Sequence, residues 1–318
     1  MAYRIGNEID NIVDLIMQDY ALDRDVDEMD IYNMPDRDAV VDIVNKMLRI
    51  VYPGYYREHS YRSYSPKRQL TVLIEDVMFN LEKQIALALH HDKKFDQKTE
   101  EELGEIAQDM AVRFFRQVPR IRELLNTDLQ ATFDGDPAAD SKEDIVLSYP
   151  GLLAITINRI AHELYMLEVP LIPRMMTEYA HSVTGIDIHP KATIGRYFCI
   201  DHGTGIVVGS TSEIGEHVKL YQGVTIGALS TKLGHKLHGT KRHPTLEDHV
   251  TVYSGASILG GETVIGHGAV IGGNAFITSS VGPGTRVSVK NQELEYRGGD
   301  KAILSKDLPQ DDAWFYTI

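Results

Sequence analysis

Two short strings hold residues whose types and spacing could do chemistry. DIHP, residues 187–190, contains Asp187 and His189, and IDHGTG, residues 200–205, contains Asp201 and His202. A stacked repeat would be content with Ala, Ser or Asn at these positions. Imidazole titrates near neutral pH, and a carboxylate on one ring nitrogen fixes its tautomer and stabilises the imidazolium, so a His202–Asp187 pair would make a general base. Metal ligation is the alternative, because histidines projecting from a rigid scaffold can bind zinc across a subunit interface. His189 and His202 are thirteen residues apart, however, which puts them on different parts of the chain's surface. A third string, TKLGHKLHGTKRHP at 231–244, gathers Lys232, Lys236, Lys241, Arg242 and His243 with no acid, although the chain carries a formal net charge of -14.

The elements that must position these groups change character along the chain. With 318 residues, 43% of them hydrophobic and 25% charged, the composition is that of a globular protein with one large or two medium domains. Its acidity argues against general affinity for nucleic acid or anionic lipid, so any polyanion contact must come from the cationic loop. Cys199 is the single cysteine, which excludes an intrachain disulfide framework and fits a reducing compartment, the cytoplasm by default. The N-terminal residues carry acids inside an apolar periodicity and show no cleavable signal pattern, so neither export nor membrane insertion is expected.

Residues 1–182 read as a helical domain: in LTVLIEDVMFNLEKQIALALHH and EEELGEIAQDMAVRFFRQVPRIRELL apolar residues recur at three and four. The tyrosine-rich YPGYYREHSYRSYSP, residues 52–66, reads as an inter-helix loop rather than a base-stacking surface, because Pro and Gly punctuate it.

From Ile188 the period becomes six. Ile188, Ile194, Ile200 and Ile206 are followed, after two extra residues, by Ile214, Leu220 and Ile226. The series resumes beyond the loop with Leu246, Val252 and Ile258, slips by one, and continues at Ile265, Ile271 and Ile277. A unit this short buries its aliphatic residue only when coils stack, so residues 183–287 are predicted to form a triangular parallel β-helix, with 231–244 as an excursion and 288–318 as a C-terminal tail. The fold class is therefore α+β, a helical domain followed by a β-helix. Eighteen residues per coil would place Asp187 beneath Gly205, about three residues along the surface from His202.

DIHPKATIGRYFCIDHGTGIVVGSTSEIGEHVKLYQGVTIG, followed by a loop ending in RHP, closely resembles the serine O-acetyltransferases of the hexapeptide-repeat, left-handed β-helix class. The resemblance extends upstream through DPAAD, 136–140, and YPGLLAITINRIAHELY, ending at 165, and covers about 150 residues from Asp136 to Ile277. It implies that His202 is the general base and Asp187 its orienting partner. Asp136 and Asp201 would hold the substrate ammonium, Arg242 its carboxylate, and His243 would lie beside the hydroxyl. The set suits a free amino acid, which offers a cation, an anion and a weak nucleophile. The co-substrate implied is acetyl-CoA, with no metal, its pantetheine arm running past Gly227, Ala228, Ser254 and Gly273 in a groove between adjacent prisms. Cys199 reads as a small packing residue, so no acyl-enzyme is needed.

Departures from the family pattern are Ala228 in place of a second glycine, a longer loop, and the one-residue slip before Ile265. The resemblance also implies a trimer or two trimers joined through their helical domains, feedback inhibition by cysteine, and capture of the C-terminal Ile318 by O-acetylserine sulfhydrylase. Other readings are an acetyltransferase for homoserine or a sugar, a zinc hydro-lyase on the same scaffold, and a purely structural β-helix. Arg242 speaks against a sugar, which has no carboxylate to bind.

Overall fold

In the computed structural model the described residues are 2–22, 24, 26–27, 34–56, 65–229 and 239–290, with side chains from residue 8 onward. The three-and-four periodicity of the first half becomes α1 (Ala2–Tyr20), α2 (Arg37–Val51), α3 (Pro66–His90), α4 (Glu100–Gly135), α5 (Lys142–Ser148), α6 (Pro150–Met166) and α7 (Ile172–Thr184). Local chemistry sets the starts. Thr99 and Glu102 form a reciprocal capping box at α4, and Ser141 accepts from the N–H of Asp144 at α5. α4 continues through Pro119 and ends at Gly135, directly before Asp136. Among the described residues no helix is long and apolar enough to cross a membrane.

After α7 ends on Gly185 in a left-handed conformation, fourteen short strands among the described residues wind into a left-handed parallel β-helix of about five coils. Each coil contributes to three parallel sheets. The first face stacks β1 (Asp187–Ile188), β4 (Val207–Val208), β7 (Thr225–Gly227), β10 (Ser257–Leu259) and β13 (Phe276–Ile277). The second stacks β2 (Thr193–Ile194), β5 (Glu213–Ile214), β8 (Thr245–Leu246) and β11 (Val264–Ile265). The third stacks β3 (Cys199–Asp201), β6 (Lys219–Tyr221), β9 (Thr251–Val252), β12 (Val270–Ile271) and β14 (Arg286–Val287). Aliphatic ladders such as Ile188–Val208–Ile226–Ile258 are buried inside the prism. Each such side chain contributes roughly 1.5–3 kcal/mol of burial free energy. One continuous apolar cluster runs from Val40 in α2 to Ala275 in the last coil, so the helices and the prism share a core.

The observed register corrects the sequence count in one place. Asp187 pairs with Val207, twenty residues along, and not with Gly205. The two extra residues lie before Ile206, in the corner between β3 and β4, and Val208 rather than Ile206 continues the ladder. Ile206 is still fully buried. It fills the enlarged corner, so both residues satisfy the hydrophobic pattern and only hydrogen bonding between coils distinguishes them. His202 opens that corner with φ of 56°, a left-handed conformation uncommon for a side-chain-bearing residue.

Candidate active site

The corner carrying His202 meets the C-terminus of α4. Asp201, the last residue of β3, and Asp136, which caps α4, come together there with His202. The Nε2 of His202 is 3.8 Å from Oδ1 of Asp201. Both oxygens of Asp136 are engaged: the Tyr149 hydroxyl donates to Oδ2 at 2.6 Å and the N–H of Ala138 to Oδ1 at 2.8 Å. The Tyr149 bond, backed by Ala138, holds the Asp136 carboxyl below its usual range, and the same bond pushes the Tyr149 hydroxyl up to about 12. Lys219, on the neighbouring strand β6, donates to Oδ2 of Asp201 at 2.9 Å and to the carbonyl of Gly135 at 2.7 Å.

Asp187 opens β1 at the same margin of the first face, and its Oδ1 takes Nη1 of Arg174 at 3.3 Å. Arg174 also pairs with Glu178. Glu178, His181 and Asp187 are close enough to share a cation, but this guanidinium already bridges the two carboxylates. His189, just beyond β1, accepts the N–H of Lys191 at Nδ1, and burial, with Arg174, His243 and Arg242 nearby, pushes its pKa down to about 4.

Arg242 and His243 occupy the opposite margin of that face, at the corner leading to β8. The hydroxyl of Thr211 accepts from the backbone N–H groups of Arg242 and His243, at 2.9 and 3.0 Å. The backbone N–H of Thr211 meets Nδ1 of His243 at 3.1 Å. A backbone N–H can only donate, so Nδ1 accepts and the ring hydrogen resides on Nε2. Burial, with Arg242 and Lys241 alongside, pushes the His243 pKa down to about 4, so the ring is neutral at pH 7. Nη2 of Arg242 donates to the Ser210 hydroxyl at 3.0 Å. The ammonium of Lys241 is held by Glu213 at 2.9 Å and the carbonyl of Thr211 at 2.9 Å. The extra residue before Ile265 falls in the same corner, where the main chain of Lys241 and Arg242 packs so closely on Gly261 that a Cβ there would be 2.3 Å from the Lys241 carbonyl oxygen.

The residues proposed from sequence thus divide between two margins. Asp136, Asp187, Asp201 and His202 lie along one, as do Ser254 and Gly273, which follow β9 and β12 in corners of successive coils. Arg242 and His243 lie along the other with Gly227 and Ala228, which end and follow β7. Lys232 and Lys236 in the loop and Ile318 in the tail lie outside the described residues. Sequence reasoning missed Tyr149, Lys219 and Thr211. A lysine one position before the buried Leu220 of a solenoid face was the available signal for Lys219; nothing periodic marks the other two. Cys199 is buried, and burial pushes its thiol up to about 11, away from the range of a thiolate nucleophile.

No family model matches the chain. Individual relatives do. The plasmid serine acetyltransferase of Synechococcus elongatus is 36% identical over 282 residues, spanning 84% of this chain and 86% of the relative. The Bacillus subtilis serine acetyltransferase is 45% identical over 133 residues, 42% of this chain and 58% of that one. Among solved structures, serine acetyltransferase isoform 3 of Entamoeba histolytica, in complex with cysteine, superposes with a TM-score of 0.68 at 32% identity, covering 81% of this chain and 84% of that one. A Neisseria gonorrhoeae serine acetyltransferase in complex with serine gives 0.51 at 27% identity, covering 78% and 95%. Being 36% identical to one serine acetyltransferase over 84% of its length, and sharing the helix-then-prism architecture of a solved one, the chain belongs to the serine acetyltransferase family, which are acyltransferases.

Proposed function

We propose that the protein transfers the acetyl group of acetyl-CoA to the hydroxyl of L-serine, giving O-acetyl-L-serine and CoA, the first step of cysteine biosynthesis. The observation that carries this reading is the constellation at the α4–prism joint: two carboxylates, Asp136 and Asp201, beside one exposed imidazole, His202. Two carboxylates suit an ammonium, and an imidazole is a group that can take and return a proton. His202, oriented by Asp187, takes the serine hydroxyl proton as the oxygen attacks the thioester carbonyl. The C–O bond forms, the tetrahedral intermediate collapses with cleavage of C–S, and the imidazolium returns its proton to the departing thiolate. Transfer is direct, in a ternary complex, which the buried, high-pKa Cys199 favours over an acyl-enzyme.

Arg242 would take the serine carboxylate in bidentate fashion, and His243 would point its Nε2–H towards the reacting oxygen. The division of the serine and CoA groups between opposite margins of one face supports a site completed by a neighbouring prism: one copy supplies His202, Asp201, Ser254 and Gly273, the next Arg242, His243, Gly227 and Ala228. A trimer, alone or paired with a second through the helical domains, closes such contacts. Cysteine carries the same ammonium and carboxylate as serine and would inhibit by occupying its site. Inhibition that is not competitive with serine would remove this part of the reading.

The test is CoA release from acetyl-CoA with serine, homoserine and a simple sugar as acceptors, for the native protein, His202→Ala and Arg242→Ala. Serine-dependent release should fall by at least about a hundredfold in His202→Ala. Arg242→Ala should recover only at much higher serine. Absence of release from folded native protein with any acceptor would refute the function.

A further inference from the structure

Lys219 is a buried-side cation that the proposed reaction does not use. Its side chain and that of Asp201 are 17% and 14% exposed, so their 2.9 Å ion pair is shielded from water in a way that surface pairs are not. Its second bond, 2.7 Å to the carbonyl of Gly135, reaches the last residue of α4. That helix end presents unsatisfied carbonyls and the negative pole of the helix dipole, where an ammonium is favourable. The ammonium also lies 4.6 Å from the ring centre of Tyr221, which pairs in register with Asp201. Burial alone would lower the pKa of Lys219, but its bonds to Tyr221 and Asp201 outweigh that and keep it raised, so the group stays charged.

These contacts join two parts of the chain that reach the site separately. Asp201 belongs to the first coil of the prism, whereas Asp136 follows Gly135 at the end of α4, within the helical half. One ammonium binds Asp201 directly and the carbonyl of the residue before Asp136, and it occupies Oδ2 of Asp201 while Oδ1 faces His202. We infer that Lys219 is a positioning residue: it latches Asp201 to the C-terminus of α4, setting the separation and orientation of the two carboxylates that receive the substrate ammonium. The inference rests on the serine-binding reading of Asp136 and Asp201 and adds a determinant of amino-acid affinity. A carboxylate left free to rotate would meet the ammonium with poorer geometry, and small misplacements of binding groups are costly.

The experiment compares steady-state kinetics of native protein, Lys219→Met and Lys219→Arg, with KM for serine and acetyl-CoA measured separately and thermal midpoints recorded. Lys219→Met should raise the serine KM by at least about tenfold, leave the acetyl-CoA KM within about twofold, and be partly rescued in Lys219→Arg, which keeps charge and donors. Calorimetric titration with serine in the absence of acetyl-CoA should show the same loss of affinity. An unchanged or lowered serine KM in Lys219→Met overturns the inference, and so does an equal rise in both KM values with a collapsed thermal midpoint, which marks general disruption. If the native protein neither binds nor acetylates serine, the underlying function fails instead, and the two failures are told apart by the native protein alone.

Discussion

The imidazole of His243 lies over Gly209, where an added Cβ would fall 2.0 Å from its Cδ2 and 2.1 Å from its Nε2. The ring cannot retreat without losing Thr211, whose backbone N–H and hydroxyl both meet Nδ1. Glycine at 209 is therefore required by close approach, since no left-handed φ occurs there. Gly209→Ala should displace the ring and raise the serine KM by about tenfold or more, with the fold retained. A serine KM equal to the native value would show that His243 does not depend on this seat.

Between the helices and the first coil, the conserving element is a buried ion pair. Nε and Nη2 of Arg159, in α6, donate to the two oxygens of Asp128, in α4, both at 2.9 Å. The same guanidinium reaches the carbonyls of Ile194 and Gly195, and Asp128 accepts the N–H of Phe198. Two helices and the turn from β2 to β3 are thus fastened at one point, a short distance along the chain from Asp201. Every polar group in the cluster has a partner, so removing one member strands the others in a dry site. Arg159→Met should lower unfolding stability by about 3–5 kcal/mol, read from denaturant midpoints. The double variant with Asp128→Asn should lose less than the sum of the singles, because the two residues are one unit. Loss below about 1 kcal/mol in Arg159→Met would show that apolar packing between helices and prism carries the joint without the ion pair.

For the assembled molecule, the two margins of the first face make a specific prediction. Co-expressing His202→Ala and Arg242→Ala chains should restore activity at a serine concentration too low for Arg242→Ala to work alone, because one kind of neighbour contact brings an intact Arg242 to an intact His202. Random mixing in a closed ring makes about a quarter of the contacts of that kind, so about a quarter of native activity is expected. Mixed assemblies no more active than their parents would place the complete site within one chain.

The helical half, the solenoid and the strings DIHP, DHGTG and RHP were legible in the sequence, since periods of three to four and of six report burial one residue at a time. Asp201 and His202 stood out as candidates for the same reason, being ionisable residues where a repeat needed none, whereas Asp136, outside the repeat, was reached only through the family resemblance. The length of the first coil was not. Ile206 and Val208 are both aliphatic and both buried, so local hydrophobicity is degenerate between them, and only the pairing of Ile188 with Val208 decides. Lys219 and Tyr149 escaped notice because each acts on a partner brought by another element, Lys219 on the end of α4 and Tyr149 on its cap. Pattern along a chain determined which elements form; hydrogen bonds between distant segments decided the register, and with it which side chains share a site.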